Sequence, residues 1–235
     1  MIKVKQAMIL AAGLGSRMKD LTKDIPKPMV LVDGITLIER TLNYLVSNGI
    51  EKVVINTYYK ASLLEEFILS LDISKYLNII FSREEELLGS GGGIKNALHN
   101  FDNNPFFILN SDSIFIDNIK SYSSFKQLES SWNSNKSSML LLLVGKENSY
   151  GYWDKGDFNI GSNNKINQNA DIRQYIYSGM SLIDYNLFSN LTSETQCFPI
   201  NFKELMIKDY LDAVVYKGNW YHIGDLKAFN EFSGF

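Results

Sequence analysis

At 235 residues, with 45 % apolar and 21 % charged, the chain has an ordinary globular composition and enough length to bury a substantial core, which excludes a disordered protein. The formal net charge of -3, from 23 Lys and Arg against 26 Asp and Glu, gives no electrostatic reason to expect nucleic acid or a membrane surface as partner. Cys197 is the sole cysteine, so an intramolecular disulfide and a cysteine-built zinc site are both excluded, and a reducing cytoplasm is the expected compartment.

Lys3 and Lys5 precede an apolar run from Ala7 to Ala12, a pattern that a secretory leader shares. The run is short, and Arg17, Lys19 and Asp20 follow at once, so a buried first strand of a parallel sheet is the better reading. No other apolar stretch approaches the ~18 residues of a membrane span. Further strands are expected at Val53–Thr57, Leu77–Phe81 and Phe106–Asn110. Between them lie helical patterns: Leu37 to Val46, Leu63 to Leu71, and Ile94, Ala97 and Leu98. Strand and helix alternating at this spacing predict a mainly parallel sheet covered by helices. Tyr122–Trp132 reads as one more helix and Met139–Val144 as another buried strand.

The second half changes character, with Gly, Asn and Asp frequent from Tyr150 to Asp171, strand-sized pieces near Phe158–Ile160 and a turn signal at Asn163–Asn164. An Asn-rich loop is expected near Ser162–Ala170. A strand at Tyr175–Ile183, a helix near Phe202–Tyr210, a strand at Ala213–Tyr216 and a last helix after Gly224 complete the pattern. The prediction is a single α/β, Rossmann-like domain with a mainly parallel mixed sheet flanked by helices, the second half folding onto it as an insertion.

The first strand runs into Gly13-Leu14-Gly15-Ser16-Arg17-Met18. A Gly-x-Gly turn after a buried strand lets backbone N–H groups approach an anion. Met18 stands where a dinucleotide fingerprint has its third glycine, and no Gly-Lys-Ser/Thr follows as in a Walker loop. Lys27, between Pro26 and Pro28, has its backbone fixed on both sides. Either feature alone reads as an ordinary surface turn; Arg17 and Lys27 together point to phosphate binding.

The segments Leu10–Arg17 and Pro26-Lys27-Pro28 resemble the signature of the nucleotidyltransferases that make NDP-sugars from an NTP and a sugar 1-phosphate. Leu88–Ile94 is similar to the second glycine-rich segment of that family, and Asn110-Ser111-Asp112 to its metal-binding aspartate. Gly156-Asp157-Phe158, Tyr177–Met180 and Trp220–Gly224 follow in the family's order. The triple glycine and Gly-Asp-Phe are shared with the branch that acts on N-acetylmuramic acid 1-phosphate. The resemblance covers the chain from Ala7 to about Phe229.

It implies catalytic roles for Arg17, on the β- and γ-phosphates, Lys27, between the α-phosphate and the sugar phosphate, and Asp112, a ligand of Mg²⁺. It places the nucleotide on Leu10, Ala11, Ala12, Gly13, Leu14 and Gly15, with Ser90, Gly91 and Gly92 near the base. It places the sugar on Asn110, Asp157, Ser178 and Gly179. Residues 1–120 would be mainly the nucleotide half and 121–235 mainly the sugar half.

Asn-Ser-Asp-Ser is also sound turn chemistry, and Asp157 reads equally as a hairpin residue. One position departs from the family. Where a second metal carboxylate is expected, this chain has His222. Mg²⁺ prefers oxygen ligands while Mn²⁺ tolerates nitrogen. His222 as a Mn²⁺ ligand, Asp225 as its substitute, an impaired site, and a packed histidine all remain open. So do guanylyl transfer to mannose or heptose 1-phosphate, cytidylyl transfer to choline phosphate, and a nucleotide-binding homologue without turnover. A glycosyltransferase fits less well, because Asp112-Ser113-Ile114 breaks the Asp-x-Asp pattern.

Overall fold

The computed structural model describes residues 2–118, 123–133, 138–161, 165–168, 171–189 and 200–232. In chain order the elements are β1 (Gln6–Leu10), β2 (Leu31–Val32), β3 (Ile35–Thr36), α1 (Leu37–Ser47), β4 (Lys52–Thr57), α2 (Ala61–Ser70) and β5 (Asn78–Arg83). There follow α3 (Gly89–Ala97), β6 (Phe106–Asn110), β7 (Ser113–Ile116), α4 (Ser124–Ser131), β8 (Met139–Gly145), β9 (Ser149–Tyr150), β10 (Asn159–Ile160) and β11 (Ile166–Asn167). The last are β12 (Tyr175–Ile183), α5 (Tyr185–Ser189), α6 (Phe202–Ile207), β13 (Leu211–Tyr216), β14 (Asn219–His222) and α7 (Leu226–Phe232). Cys197 and the turn at Asn163–Asn164 lie outside the described residues. Among the described residues no helix is long and apolar enough to cross a membrane.

Seven strands form the main sheet in the order β13-β8-β12-β6-β1-β4-β5. β12 runs antiparallel to both of its neighbours, and the other pairings are parallel. The expected α/β domain with a mainly parallel mixed sheet is therefore the fold. Alternation along each strand splits the core between the two faces. Ala7, Ile9, Val53, Ile55, Phe107 and Leu109 face one cluster, while Met8, Val54, Phe106 and Ile108 face the other. The strands read as continuous apolar runs because both faces are covered. α1 begins as its sequence requires: the Thr36 hydroxyl accepts the Glu39 N–H at 3.2 Å.

Two differences from the sequence reading bear on the site. The helix expected around Ile94, Ala97 and Leu98 begins earlier, at Gly89, so the glycine run forms the first turns of α3, where Gly91, Gly92 and Gly93 are buried. A second, three-stranded sheet β7-β14-β9 was not anticipated. In it β14 pairs antiparallel with β7, setting His222 opposite Ser113. Its strands are short and mixed in polarity, so neither alternation nor a continuous apolar run marks them.

Candidate active site

From β1 the chain crosses to β4 and then β5 on one side, and β6 later pairs with β1 on the other. Strand order thus reverses between β1 and β6, and in open α/β sheets a crevice forms at that point, outside the carboxyl ends of the strands. Leu10 lies opposite Asn110 there. A cleft of ≈ 360 Å³ opens above it, and Leu10, Ala11, Gly13, Leu14, Gly15, Arg17, Lys27, Asn110 and Asp112 all line it. Nine of the sequence-predicted residues, spread over three segments, are thereby brought together.

The loop after β1 is shaped by contacts that can be named. Gly15 has φ +68°, and a Cβ there would stand 2.9 Å from Lys27 Cβ, so both conformation and space demand glycine. The Gly15 carbonyl accepts from the Met18 N–H at 2.8 Å and from the Thr22 hydroxyl at 2.9 Å. Met18 is fully buried and packs with Val30, Leu37, Ile114 and Ile223. The residue that spoils the dinucleotide fingerprint is therefore the anchor of this loop. It ties the loop to β7 and to the end of β14.

Lys27 opens a short 3₁₀ turn between its two prolines, with the Met29 N–H bonded to the Pro26 carbonyl at 2.9 Å. It is 9 % exposed, and its Nζ donates to Asp112 Oδ2 at 2.5 Å. The other carboxylate oxygen, Asp112 Oδ1, is buried without a hydrogen-bond partner and faces His222 Nδ1 at 3.7 Å. Burial opposes ionisation of Asp112, but Lys27, His222 and Arg17 outweigh it and hold the carboxyl below its ordinary value. Burial, helped by Lys27 and Arg17 and opposed by Asp112, holds the His222 imidazole below its ordinary value. Arg17 is exposed at the cleft mouth and forms no ion pair among the described residues.

His222 reaches Asp112 because β14 lies on β7 and the Ile223 N–H donates to the Asp112 carbonyl at 2.9 Å. Trp220 stacks on its ring at 5.6 Å, and Gly224 leaves room beneath it, since a Cβ there would run into the imidazole. Asp225 is engaged elsewhere, accepting the Ala228 N–H at 2.9 Å as the cap of α7. A free, buried carboxylate oxygen facing an imidazole nitrogen suits a divalent cation. Among the described residues no cluster of three His, Cys, Asp or Glu side chains exists, so substrate oxygens and water would have to complete its shell.

The other predicted residues do not line this cleft directly. Ala12 is buried, Gly91 and Gly92 are inside α3, and the Ser90 hydroxyl accepts from the Ile200 N–H at 3.1 Å. Leu87, just before them, lines the cleft instead. Ser178 is fully buried; its hydroxyl donates to the Leu142 carbonyl at 2.7 Å, inside the bulge of β12. Gly179 has φ +80°, and a Cβ there would be 2.8 Å from Asn110 Cγ, so its bareness makes room for a cleft residue. Asp157 accepts from the Tyr152 hydroxyl at 3.0 Å and from the Tyr177 N–H at 2.8 Å. Both its oxygens are engaged in tying the segment before β10 to β12. Sequence reasoning passed over Asn56 and Glu84. Their only signals were a polar residue near the end of an apolar strand and membership of the acidic run Glu84-Glu85-Glu86.

The family model described as Nucleotidyl transferase matches residues 6–235. The chain belongs to the nucleotidyl transferase family. This nucleotidyl transferase is 31 % identical over 232 residues to the N-acetylmuramate alpha-1-phosphate uridylyltransferase of Caulobacter vibrioides, covering 95 % of this chain and 93 % of that one. It is 38 % identical to the D-glycero-alpha-D-manno-heptose 1-phosphate guanylyltransferase of Campylobacter jejuni over 110 residues, 47 % of this chain and 48 % of the relative. Among solved structures, HddC from Yersinia pseudotuberculosis complexed with GMP-PN is similar at a TM-score of 0.79 and 25 % identity, covering 98 % of this chain and 99 % of that one. The UDP-glucose pyrophosphorylase of Acinetobacter baumannii shares the fold at a TM-score of 0.79 and 18 % identity, covering 98 % and 92 %.

Proposed function

We propose that this nucleotidyl transferase joins an NTP to a sugar 1-phosphate, releasing pyrophosphate and an NDP-sugar, with UTP and N-acetylmuramic acid 1-phosphate as the leading pair. The observation that carries the reading is the buried Lys27–Asp112 pair, with Arg17 beside it, at the switch point of the sheet. The near full-length likeness to the Caulobacter vibrioides enzyme supports the choice of base and sugar.

In this reaction a phosphate oxygen of the sugar 1-phosphate bonds to the α-phosphorus while the bond to the β-phosphate oxygen breaks. The nucleophile is already anionic near neutral pH, so no side chain has to remove a proton. What the protein must supply is proximity of two anions and fixed positive charge. Arg17, a planar fork at the mouth, would bind the β- and γ-phosphates and the departing pyrophosphate. Lys27 would serve the α-phosphate and the sugar phosphate from a position its prolines fix. The loop at Gly13–Gly15 would supply backbone donors. Asp112 and His222 would hold Mg²⁺ or Mn²⁺, which when bound neutralises charge at the α-phosphate.

The test is pyrophosphate release by the purified protein, offered each common NTP with a panel of sugar 1-phosphates, with Mg²⁺ and separately with Mn²⁺. Release that requires both UTP and N-acetylmuramic acid 1-phosphate is the expected result. A second reading, guanylyl transfer to a heptose 1-phosphate, is favoured by the 38 % identity to the Campylobacter jejuni enzyme over half of the chain. It would show as release with GTP instead. Nucleotide binding without release from any pair would identify a homologue that has lost turnover.

A further inference from the structure

Two buried polar side chains that the proposed chemistry does not use lie between the phosphate loop and the second glycine segment. Asn56, near the end of β4, is 3 % exposed, and Glu84, just after β5, is 5 % exposed. Asn56 Oδ1 accepts the Ala11 N–H at 2.8 Å, and Asn56 Nδ2 donates to Glu84 Oε1 at 2.8 Å. Glu84 Oε2 in turn accepts the Leu88 N–H at 3.0 Å. An unbroken chain of three hydrogen bonds therefore runs from Ala11, two residues before Gly13, to Leu88, the residue capping α3.

The polarity of this chain is fixed at every link. Both ends are backbone donors, so Glu84 serves only as acceptor, and the middle residue must accept on one side and donate on the other. Asparagine meets that demand; aspartate, its isostere, does not. Among the described residues Glu84 forms no ion pair, so amide donors alone hold its buried carboxylate. α3 presses against the chain from behind: a Cβ at Gly93 would stand 2.7 Å from Asn56 Nδ2 and from Glu84 Oε1. The third glycine of the triplet is thereby explained by close approach to this pair.

We propose that Asn56 and Glu84 are positioning residues that lock the two glycine segments at one separation, so that an incoming nucleotide meets a preformed site. The proposal rests on the reading of the cleft as a nucleotide site. A loop already held in its bound conformation spares the nucleotide the cost of ordering it, so loss of the lock should appear in nucleotide affinity first.

The experiment compares Asn56→Asp, Glu84→Gln and the double variant in the full chain. Asn56→Asp sets two carboxylates against each other, and Glu84→Gln opposes two donors, so each single change breaks a link. Together they restore the chain with one link reversed, because the new amide donates to the new carboxylate and still accepts from Leu88. Each single variant is expected to raise the KM for UTP about tenfold or more, with kcat and the sugar 1-phosphate KM within a few-fold of wild type. The double variant should return close to wild type. Calorimetric titration with UTP alone should follow the same order, so the test stands even if turnover needs another sugar.

Single variants with unchanged UTP affinity, or a folded double variant as weak as the singles, would overturn the proposal. So would an equal loss in kcat and in both KM values, the mark of general damage. If the singles do not fold, wild-type UTP affinity in the double variant supports the lock and tenfold weaker affinity overturns it. A wild-type protein that binds no NTP would instead overturn the nucleotide reading of the cleft.

Discussion

At the ends of β1 and β6 the protein keeps bonding capacity open, whereas ahead of β12 it uses that capacity internally. Asp112 Oδ1 is buried without a partner, and Arg17 stands at the cleft mouth with no ion pair among the described residues. On the other side Asp157 has both oxygens engaged and Ser178 has its hydroxyl bonded inside the sheet. A polar group left unsatisfied in a buried place costs stability and is kept where a ligand will complete it. A satisfied one is first of all a fastener. A cleft at the ends of β1 and β6 that holds waiting charges thus differs from the region around β12, where the polar groups of Asp157 and Ser178 build the frame.

Asp112→Asn should break the first half of that contrast with the largest effect. It removes the charge that faces Lys27 and His222, so kcat should fall by about 10²–10³-fold in the pyrophosphate assay, and the thermal midpoint should fall as well because buried Lys27 loses its counter-charge. His222→Asp should shift the metal preference from Mn²⁺ toward Mg²⁺, as read by turnover with each ion and by titration of Mn²⁺ followed by electron paramagnetic resonance. Unchanged preference in both readouts would make His222 a packing residue stacked on Trp220.

Asp157→Ala sharpens the second half. It leaves the Tyr177 N–H and the Tyr152 hydroxyl without their acceptor, so the thermal midpoint should drop by about 4–8 °C. The KM for the sugar 1-phosphate should stay within a few-fold. A raised sugar KM with an unchanged midpoint would return Asp157 to the role of sugar ligand that its motif suggested. Thr36→Ala, far from the chemistry, should cost about 1 kcal/mol through the lost cap of α1 and lower the midpoint by about 2–3 °C, with both KM values unchanged.

The same contrast governs what could be read from sequence. β6 and β12 lie where the sequence pattern placed them, Phe106–Asn110 and Tyr175–Ile183; β6, buried on both faces, leaves a continuous hydrophobic run, while in β12 Ser178, Gly179 and Ser181 interrupt it. The residues that line the cleft were legible because their demands are local: glycines for close approach, a lysine fixed by prolines, an aspartate after a strand. What stayed hidden depended on distant pairing. Ser113–Ile116 and Asn219–His222 carry no clear period, yet their pairing brings His222 to Asp112. Asn56 and Glu84 are 28 residues apart, and only the parallel register of β4 with β5 brings them near each other. Burial of Ser178 beneath the β12 bulge is likewise a property of the sheet and not of the residue.

The central claim is that the cleft at the switch point transfers a nucleotidyl group. UTP labelled at its α-phosphate, mixed with the protein, a divalent ion and N-acetylmuramic acid 1-phosphate, tests it most directly by following where the label goes. The label should pass into a sugar-linked diphosphate in step with unlabelled pyrophosphate, and only when the sugar 1-phosphate is present. Label that stays in UTP, or leaves as UMP without the sugar, would contradict it.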